Sequence, residues 1–414
     1  MSVGVGVAVV PVDVPVGTPM GGYAARTTGS TGVHDPTTVR ALVLDRVAIV
    51  TVDVCVLHEE TCRLVEATSG LDTVVVAAVH THGGPSVGHG RAGVHAPAVH
   101  DAVVDAARRA IAEARSRRVQ AHVTSAAVHG LGVAKDRRRP DHPIDPALDA
   151  LRFTDAATGA VIATLTCYPC HPVVLDASNT LVTADYVHAL REGVEQATGA
   201  PCIALTGAAG DVNTGHSATE SFHAATGNHR TFERAERLGR HLAEALTTSP
   251  WTRLEVPGAN GRSHDVTLGY AVLTRQQVDA RADAWRERLG SADPSEQAVL
   301  RCWLDWAEHW TPERLQEGWT GRVTSVDLGG TAVLCLPGEP FLAVADHLKE
   351  RNPGVLVAGY CDGVPGYLPT ADAYPHGGYE VEDACMYYAM PAPFARGSAE
   401  QLASVGASLL SERP

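Results

Sequence analysis

Along the first half of the chain, short valine-rich runs alternate with longer stretches whose apolar residues recur at helical spacing. The runs at 39–44, 47–54 and 73–79 are bounded by turn residues and predict strands. Residues 97–117 predict a helix. Pro97 lies in its first turn, Val103, Ala107 and Ile111 fall on one face, and the end is basic. Further strands are expected at 120–127, 148–153, 161–167 and 201–205, and helices at 184–196 and 234–246. The first residues alternate valine with glycine, which suits another strand. Strands interleaved with helices predict an α/β fold, a mixed β-sheet core flanked by helices.

From 274 to 316 the pattern changes. Two helical stretches, separated by 290–295, carry Trp285, Trp303, Trp306 and Trp310. The last three are spaced i, i+3, i+7 on one helical face. They read as a packing stripe, with an aromatic wall beside a substrate pocket or a dimer contact as the alternative. A hairpin is expected from 322–328 and 331–336 around Gly329-Gly330, then a helix at 341–351 and a strand at 354–359. No repeat or low-complexity linker divides the chain. The expectation is one α/β domain over 1–414 with a helical insertion at about 272–318.

Charge narrows the partners. Against 47 Asp+Glu stand 33 Lys+Arg, a formal net charge of −14, which argues against nonspecific nucleic-acid binding. No run approaches the roughly 18–20 apolar residues of a membrane span. The amino terminus lacks a basic start and a long apolar core, so no secretory signal is read and a cytoplasmic protein is expected. The 9 cysteines are odd in number and form no dense framework, which suits a reduced chain with buried thiols. The 20 histidines, against 5 phenylalanines, are compatible with metal chemistry.

Five segments carry candidate chemistry. His80-Thr81-His82-Gly83-Gly84-Pro85 follows a strand, where open α/β sheets place ligands. On an extended segment, both imidazoles of His-x-His project to one side, one to ligate a metal and the other to hydrogen-bond nearby. His89, His95 and His100 read as loop and helix-surface histidines. Cys167-Tyr168-Pro169-Cys170-His171-Pro172 matches haem-attachment and redox patterns by letter, yet the chain continues extended and has no export signal. His171 is better read as ending a strand and facing the same site as His80, with the cysteines as packing residues. In Gly207–Asn213, Asp211 and Asn213 can orient groups at a site, or the segment is a tight turn. Glu339, in Pro337-Gly338-Glu339, caps a helix or supplies an oxygen ligand. Gly366–Thr370 and Gly377–Glu380 read as ordered loops.

Taken in order, these segments resemble the catalytic domain of the neutral/alkaline ceramidases, a family of zinc-dependent amide hydrolases. The resemblance also includes Val12–Gly17, Gly22-Tyr23-Ala24, Gly32–Pro36 and Thr183–Tyr186, and it runs over nearly the whole chain. It implies a ceramidase-catalytic-domain-like fold. The chain ends soon after that portion, so the family's C-terminal immunoglobulin-like domain is not expected. The resemblance implies zinc held by His80, His171, Glu339 and Tyr367. It implies His82 for proton transfer, Arg137 or Arg138 against substrate, and Tyr379 at the developing oxyanion. Asn213 stands where several relatives carry serine.

The implied reaction is cleavage of a non-peptide amide by zinc-activated water. The substrate would be an N-acyl amine or N-acyl amino alcohol, with a small soluble amide standing beside ceramide. An ester, lactone or carbamate hydrolase uses the same nucleophile, and a non-catalytic binding protein on the same fold is the remaining reading. The oligomeric state is open.

Overall fold

The computed structural model describes residues 2–218, 220 and 229–413. Its largest sheet has nine strands. Eight run side by side in the order Cys202–Thr206, Val161–Tyr168, Leu148–Asp155, Val119–Val128, Val3–Val12, Thr37–Leu44, Val47–Val52 and Thr73–Ala78. Thr252–Leu254 pairs alongside Val119–Val128. The two outermost pairings are parallel and the inner ones antiparallel, so the sheet is mixed as expected.

The valine runs are continuous because both faces of this sheet are buried. Within Thr37–Leu44, Val39, Ala41 and Val43 join the core under the helices, while Leu42 and Leu44 point into a second core. Helix Pro97–Ser116 lies on the first face, with Val103, Ala107 and Ile111 buried. Its close approach requires Gly6, where a Cβ would come within 1.9 Å of the Ala114 carbonyl oxygen.

The second core is the feature that the residue pattern did not disclose. A four-stranded sheet of Asn260–Leu268, Trp319–Asp327, Ala332–Cys335 and Leu356–Ala358 packs face to face on the first. Val326, Val333 and Leu356 meet Leu42, Ile49 and Leu165 there. Helices Leu342–Arg351 and Ser398–Ser411 cover the outer face, where Gly406 sits against Leu334 and Leu348. Helices therefore flank the sheets only on the outside of a helix–sheet–sheet–helix stack. Helices Arg275–Leu289 and Pro294–Glu308 form a pair, with the Trp285 and Trp303 rings 5.4 Å apart. The Trp306 and Trp310 indoles donate to the Met390 and Pro391 carbonyls at 2.7 and 2.6 Å. No helix among the described residues is long and apolar enough to cross a membrane.

The first sheet also curls until its edges meet. The Thr206 hydroxyl, on one edge, donates to the Val79 carbonyl beyond the other at 2.6 Å. The chain at 358–361 bridges both edges, pairing Ala358 with Gly207 and Cys361 with Ala77. Segments following Thr73–Ala78 and Val161–Tyr168 therefore converge. A buried ion pair anchors the ground beneath them: Arg191 grips Asp53 through two bonds of 2.6 and 3.0 Å. The Thr38 amide and hydroxyl complete the Asp53 carboxylate at 2.9 and 2.7 Å. Next to Asp53, the Val54 carbonyl receives the His80 amide at 2.9 Å.

Candidate functional site

His80, His171 and Glu339 are fully buried and point at one another. Three ligand atoms, one from each, lie within 4.8 Å. His80 Nε2 is 3.2 Å and His171 Nε2 2.9 Å from the same Glu339 oxygen, Oε2. The other Glu339 oxygen accepts a hydrogen bond from the Tyr388 hydroxyl. His80 Nδ1 faces the Cys55 carbonyl at 2.7 Å, and His171 Nδ1 faces the Val212 carbonyl at 3.0 Å. A carbonyl only accepts, so each Nδ1 carries the proton.

That assignment tests whether the residues suit a metal ion. Burial first, then the Arg137 charge, pushes His171 down to about 4. Burial would lower His80, but the Glu339 charge raises it to about 10. Burial would raise the Glu339 carboxyl, but His80 and the hydrogen bonds from both imidazoles hold it well below the usual range. Two imidazole nitrogens and one carboxylate oxygen thus converge within 4.8 Å, a donor set that can surround a cation. Backbone carbonyls on the remote imidazole nitrogens are a common outer support of metal-binding histidines. The donor set fits a divalent ion.

His80 reaches this place by a route that the extended reading of His-x-His did not anticipate. Its φ is 69°, in the left-handed region, so the chain turns sharply between the two histidines. The rings still meet, with His82 Nε2 3.4 Å from His80 Nε2. Gly22 lets the neighbouring chain pass, since a Cβ there would lie 2.4 Å from the His82 ring. Burial, followed by the charges of His80 and His171, pushes His82 well below the ordinary imidazole value. Its Nδ1 has no hydrogen-bond partner among the described residues.

Tyr367 is paired with Glu339 in a two-residue parallel bridge, and its ring lies 6.2 Å from that of His171. The Arg137 guanidinium carbon is 5.2 Å from the Tyr367 ring centre. Arg137 also donates from Nε to Glu380 at 2.8 Å, while its Nη2 has no partner among the described residues. Arg138 braces Glu380 and the Gly377 carbonyl at 2.6 and 2.7 Å, and Arg139 turns out to Asp136. Tyr379 stands 5.9 Å from Tyr367, ring to ring.

A narrow cavity of about 30 Å³ opens beside this group, lined by Tyr23, His82, Arg137, Trp303, Tyr367, Tyr379 and Tyr388, among others. Two larger cavities flank it. One of about 540 Å³ shares Tyr23, Ala24 and Tyr387 with it. The other, of about 430 Å³, shares Arg137, Ala218 and Tyr379. The tryptophan stripe is thus both packing and wall: Trp303 lines the narrow cavity and Trp306 the one of about 540 Å³.

Asn213 does not join them. Its side-chain nitrogen donates to the His216 carbonyl at 2.7 Å, and its oxygen accepts the Gly215 and His216 amides. All of its polar atoms serve the turn, and it is not among the cavity residues. Asp211 likewise receives the Leu342 amide at the start of a helix, at 2.8 Å. Residue types alone missed Tyr388, Tyr360 (its ring 4.2 Å from that of His80) and the Cys55 carbonyl. The doubled tyrosine Tyr387-Tyr388 in a late loop was the one visible signal. Cys167 and Cys170 are buried free thiols.

This geometry meets known proteins in a family match over part of the chain and in the fold of the whole. Residues 2–201 match the family model for neutral/alkaline non-lysosomal ceramidase, N-terminal. The ceramidase-like architecture extends over the rest of the chain. The crystal structure of neutral ceramidase from Pseudomonas aeruginosa superposes with a TM-score of 0.73 at 17% identity, covering 100% of this chain and 75% of that one. A ceramidase complexed with C2 gives 0.72 at 16% identity, covering 100% and 76%. A search of curated proteins finds no match. The fold is thus ceramidase-like throughout, with a buried His–His–Glu group able to hold a metal ion.

Proposed function

We infer that the protein is a zinc-dependent hydrolase of non-peptide amide bonds, acting on N-acyl amines or N-acyl amino alcohols. The observation that carries this reading is the convergence of His80 Nε2 and His171 Nε2 on one buried Glu339 oxygen, at 3.2 and 2.9 Å. His80, His171 and Glu339 would hold the ion, with the Tyr367 hydroxyl as the fourth protein ligand. When bound, zinc supplies Lewis acidity, polarising an acyl carbonyl and making water a nucleophile at neutral pH.

The chain's own groups do the rest. The two flanking cavities give room to the acyl and amine halves of one substrate, with the scissile bond in the narrow cavity between. Arg137 Nη2 and the Tyr379 hydroxyl bind the acyl oxygen as it gains charge. His82, kept neutral by burial, accepts the proton of the attacking water and passes it to the leaving nitrogen. The aromatic walls exclude bulk water, which strengthens each polar contact.

Protein purified without added metal is expected to carry zinc, measured by mass spectrometry, and to release amine from a panel of N-acyl amines of graded chain length. A folded, zinc-loaded chain that cleaves esters but no amide would overturn the amide assignment. Tyr388→Phe removes the hydroxyl that orients Glu339. It is expected to weaken zinc affinity by about 10- to 100-fold, the usual scale for outer supports of a ligand. Competition with a chromophoric chelator reads this directly, and unchanged affinity would remove Tyr388 from the metal's support.

A further inference from the structure

A second group of imidazoles stands apart from His80, His171 and Glu339. His89, His95 and His100 each offer a ligand atom within 4.8 Å of the others. The Nε2 atoms of His89 and His100 are 3.3 Å apart. Tetrahedral zinc with bonds of about 2.0–2.1 Å to nitrogen sets its ligand atoms at about that separation. The His89 and His95 rings lie 4.5 Å apart, and the His95 and His100 rings 5.2 Å. The His89 amide lies 3.2 Å from His95 Nδ1, a hydrogen bond that His95 releases when the ring binds an ion. The Thr61 hydroxyl lies 2.9 Å from His100 Nε2.

Read from sequence, these were loop and surface histidines. That reading fails for His100, which is only 9% exposed although it lies in the first turns of helix Pro97–Ser116. A buried imidazole turned towards two others needs a reason, and the loop between them supplies one. His89, Gly90, Ala92 and Gly93 all have positive φ, at 53°, 91°, 53° and 143°. Non-glycine residues hold such conformations only where the surroundings over-determine them. Gly90, Gly93 and Val94 also form part of the wall of the 540 Å³ cavity.

We propose that His89, His95 and His100 form a second metal site, whose ion pins this cavity-wall loop to helix Pro97–Ser116. Three imidazoles with no carboxylate among them favour zinc, copper or nickel over magnesium or calcium. The exposed side of His89 leaves the fourth position to water. The role is structural, and it stands whether or not the amide-hydrolase reading holds.

The test uses the full chain stripped with chelator and dialysed against zinc alone. His171→Gln, which removes a ligand of the first group, is expected to retain one zinc per chain. Adding His89→Ala and His95→Ala abolishes that zinc, together with the zinc-dependent rise in Tm. In the wild-type background the same pair lowers zinc from two per chain to one. His89 and His95 lie outside the closed core, and a circular-dichroism melt verifies each variant's fold; His95→Gln provides a milder second variant. No zinc on His171→Gln, or a zinc that survives loss of both His89 and His95, overturns the proposal. Failure of the first site alone reads differently: wild type and His171→Gln would then bind equal zinc.

Discussion

On the proposed amide hydrolysis, alanine at His80 is expected to lower kcat/KM for an N-acyl amine by at least about 10³-fold, while the chain remains folded. A thousandfold loss corresponds to about 4 kcal/mol of transition-state stabilisation, within what Lewis-acid and water activation contribute. The argument is geometric. His80 and His171 address the same Glu339 oxygen at 3.2 and 2.9 Å, so losing one imidazole opens the group on one side. His82 also loses the ring against which its Nε2 is placed at 3.4 Å. The measurement pairs steady-state kinetics with zinc content on the same preparation. Activity within tenfold of wild type at full zinc occupancy would remove His80 from the site.

Asp53→Ala destabilises the fold by about 3–5 kcal/mol, because it leaves the Arg191 guanidinium buried without its carboxylate. Both side chains are within 2% of complete burial. The double change Asp53→Leu with Arg191→Met is expected to be far milder, since it removes both charges together. Urea melts of the two variants separate these cases, and equal losses would show that the ion pair is not the source. The same pair gives a sign for pH. Burial would raise the Asp53 carboxyl, but the Arg191 charge and hydrogen bonds, with help from Arg40 and Thr38, lower it below its ordinary value. A depressed carboxyl contributes stability above its unfolded value of about 3.9, and that contribution is lost as pH falls through the lower folded value. The Asp53→Ala variant should therefore show a flatter loss of stability in acid than wild type.

Strands and helices were legible wherever burial is simple. The expected 39–44, 73–79 and 97–117 correspond to Thr37–Leu44, Thr73–Ala78 and Pro97–Ser116. Val-rich runs buried on both faces, and a stripe of Val103, Ala107 and Ile111, leave little choice of local structure. The sheet-on-sheet core was not legible, because a strand buried between two sheets reads the same as one buried between sheet and helix. His80 was located correctly at a strand end, but its left-handed backbone was not foreseen, since histidine carries no mark of positive φ. Asn213 looked available beside Asp211, yet the turn takes all its polar atoms. His100 looked like a surface residue, because helical periodicity does not reveal what a preceding loop folds back upon.

The sequence by itself determined the element order, the mixed α/β class and the set of residue types able to bind metal. Its ordered motifs also carried the ceramidase resemblance, which the family match over 2–201 and the full-length structural likeness bear out. The tertiary structure alone decided which of those residues meet. His80 and His171 follow strands at opposite sides of the sheet order, and only its curl, sealed by the Thr206–Val79 hydrogen bond and the bridging chain at 358–361, brings them together. Glu339 enters from the short bridge with Tyr367 that follows strand Ala332–Cys335, and Tyr388 from a late helical turn. Local periodicity encodes which face of a strand is buried. It does not encode long-range closure, which depends on the packing of both sheets at once.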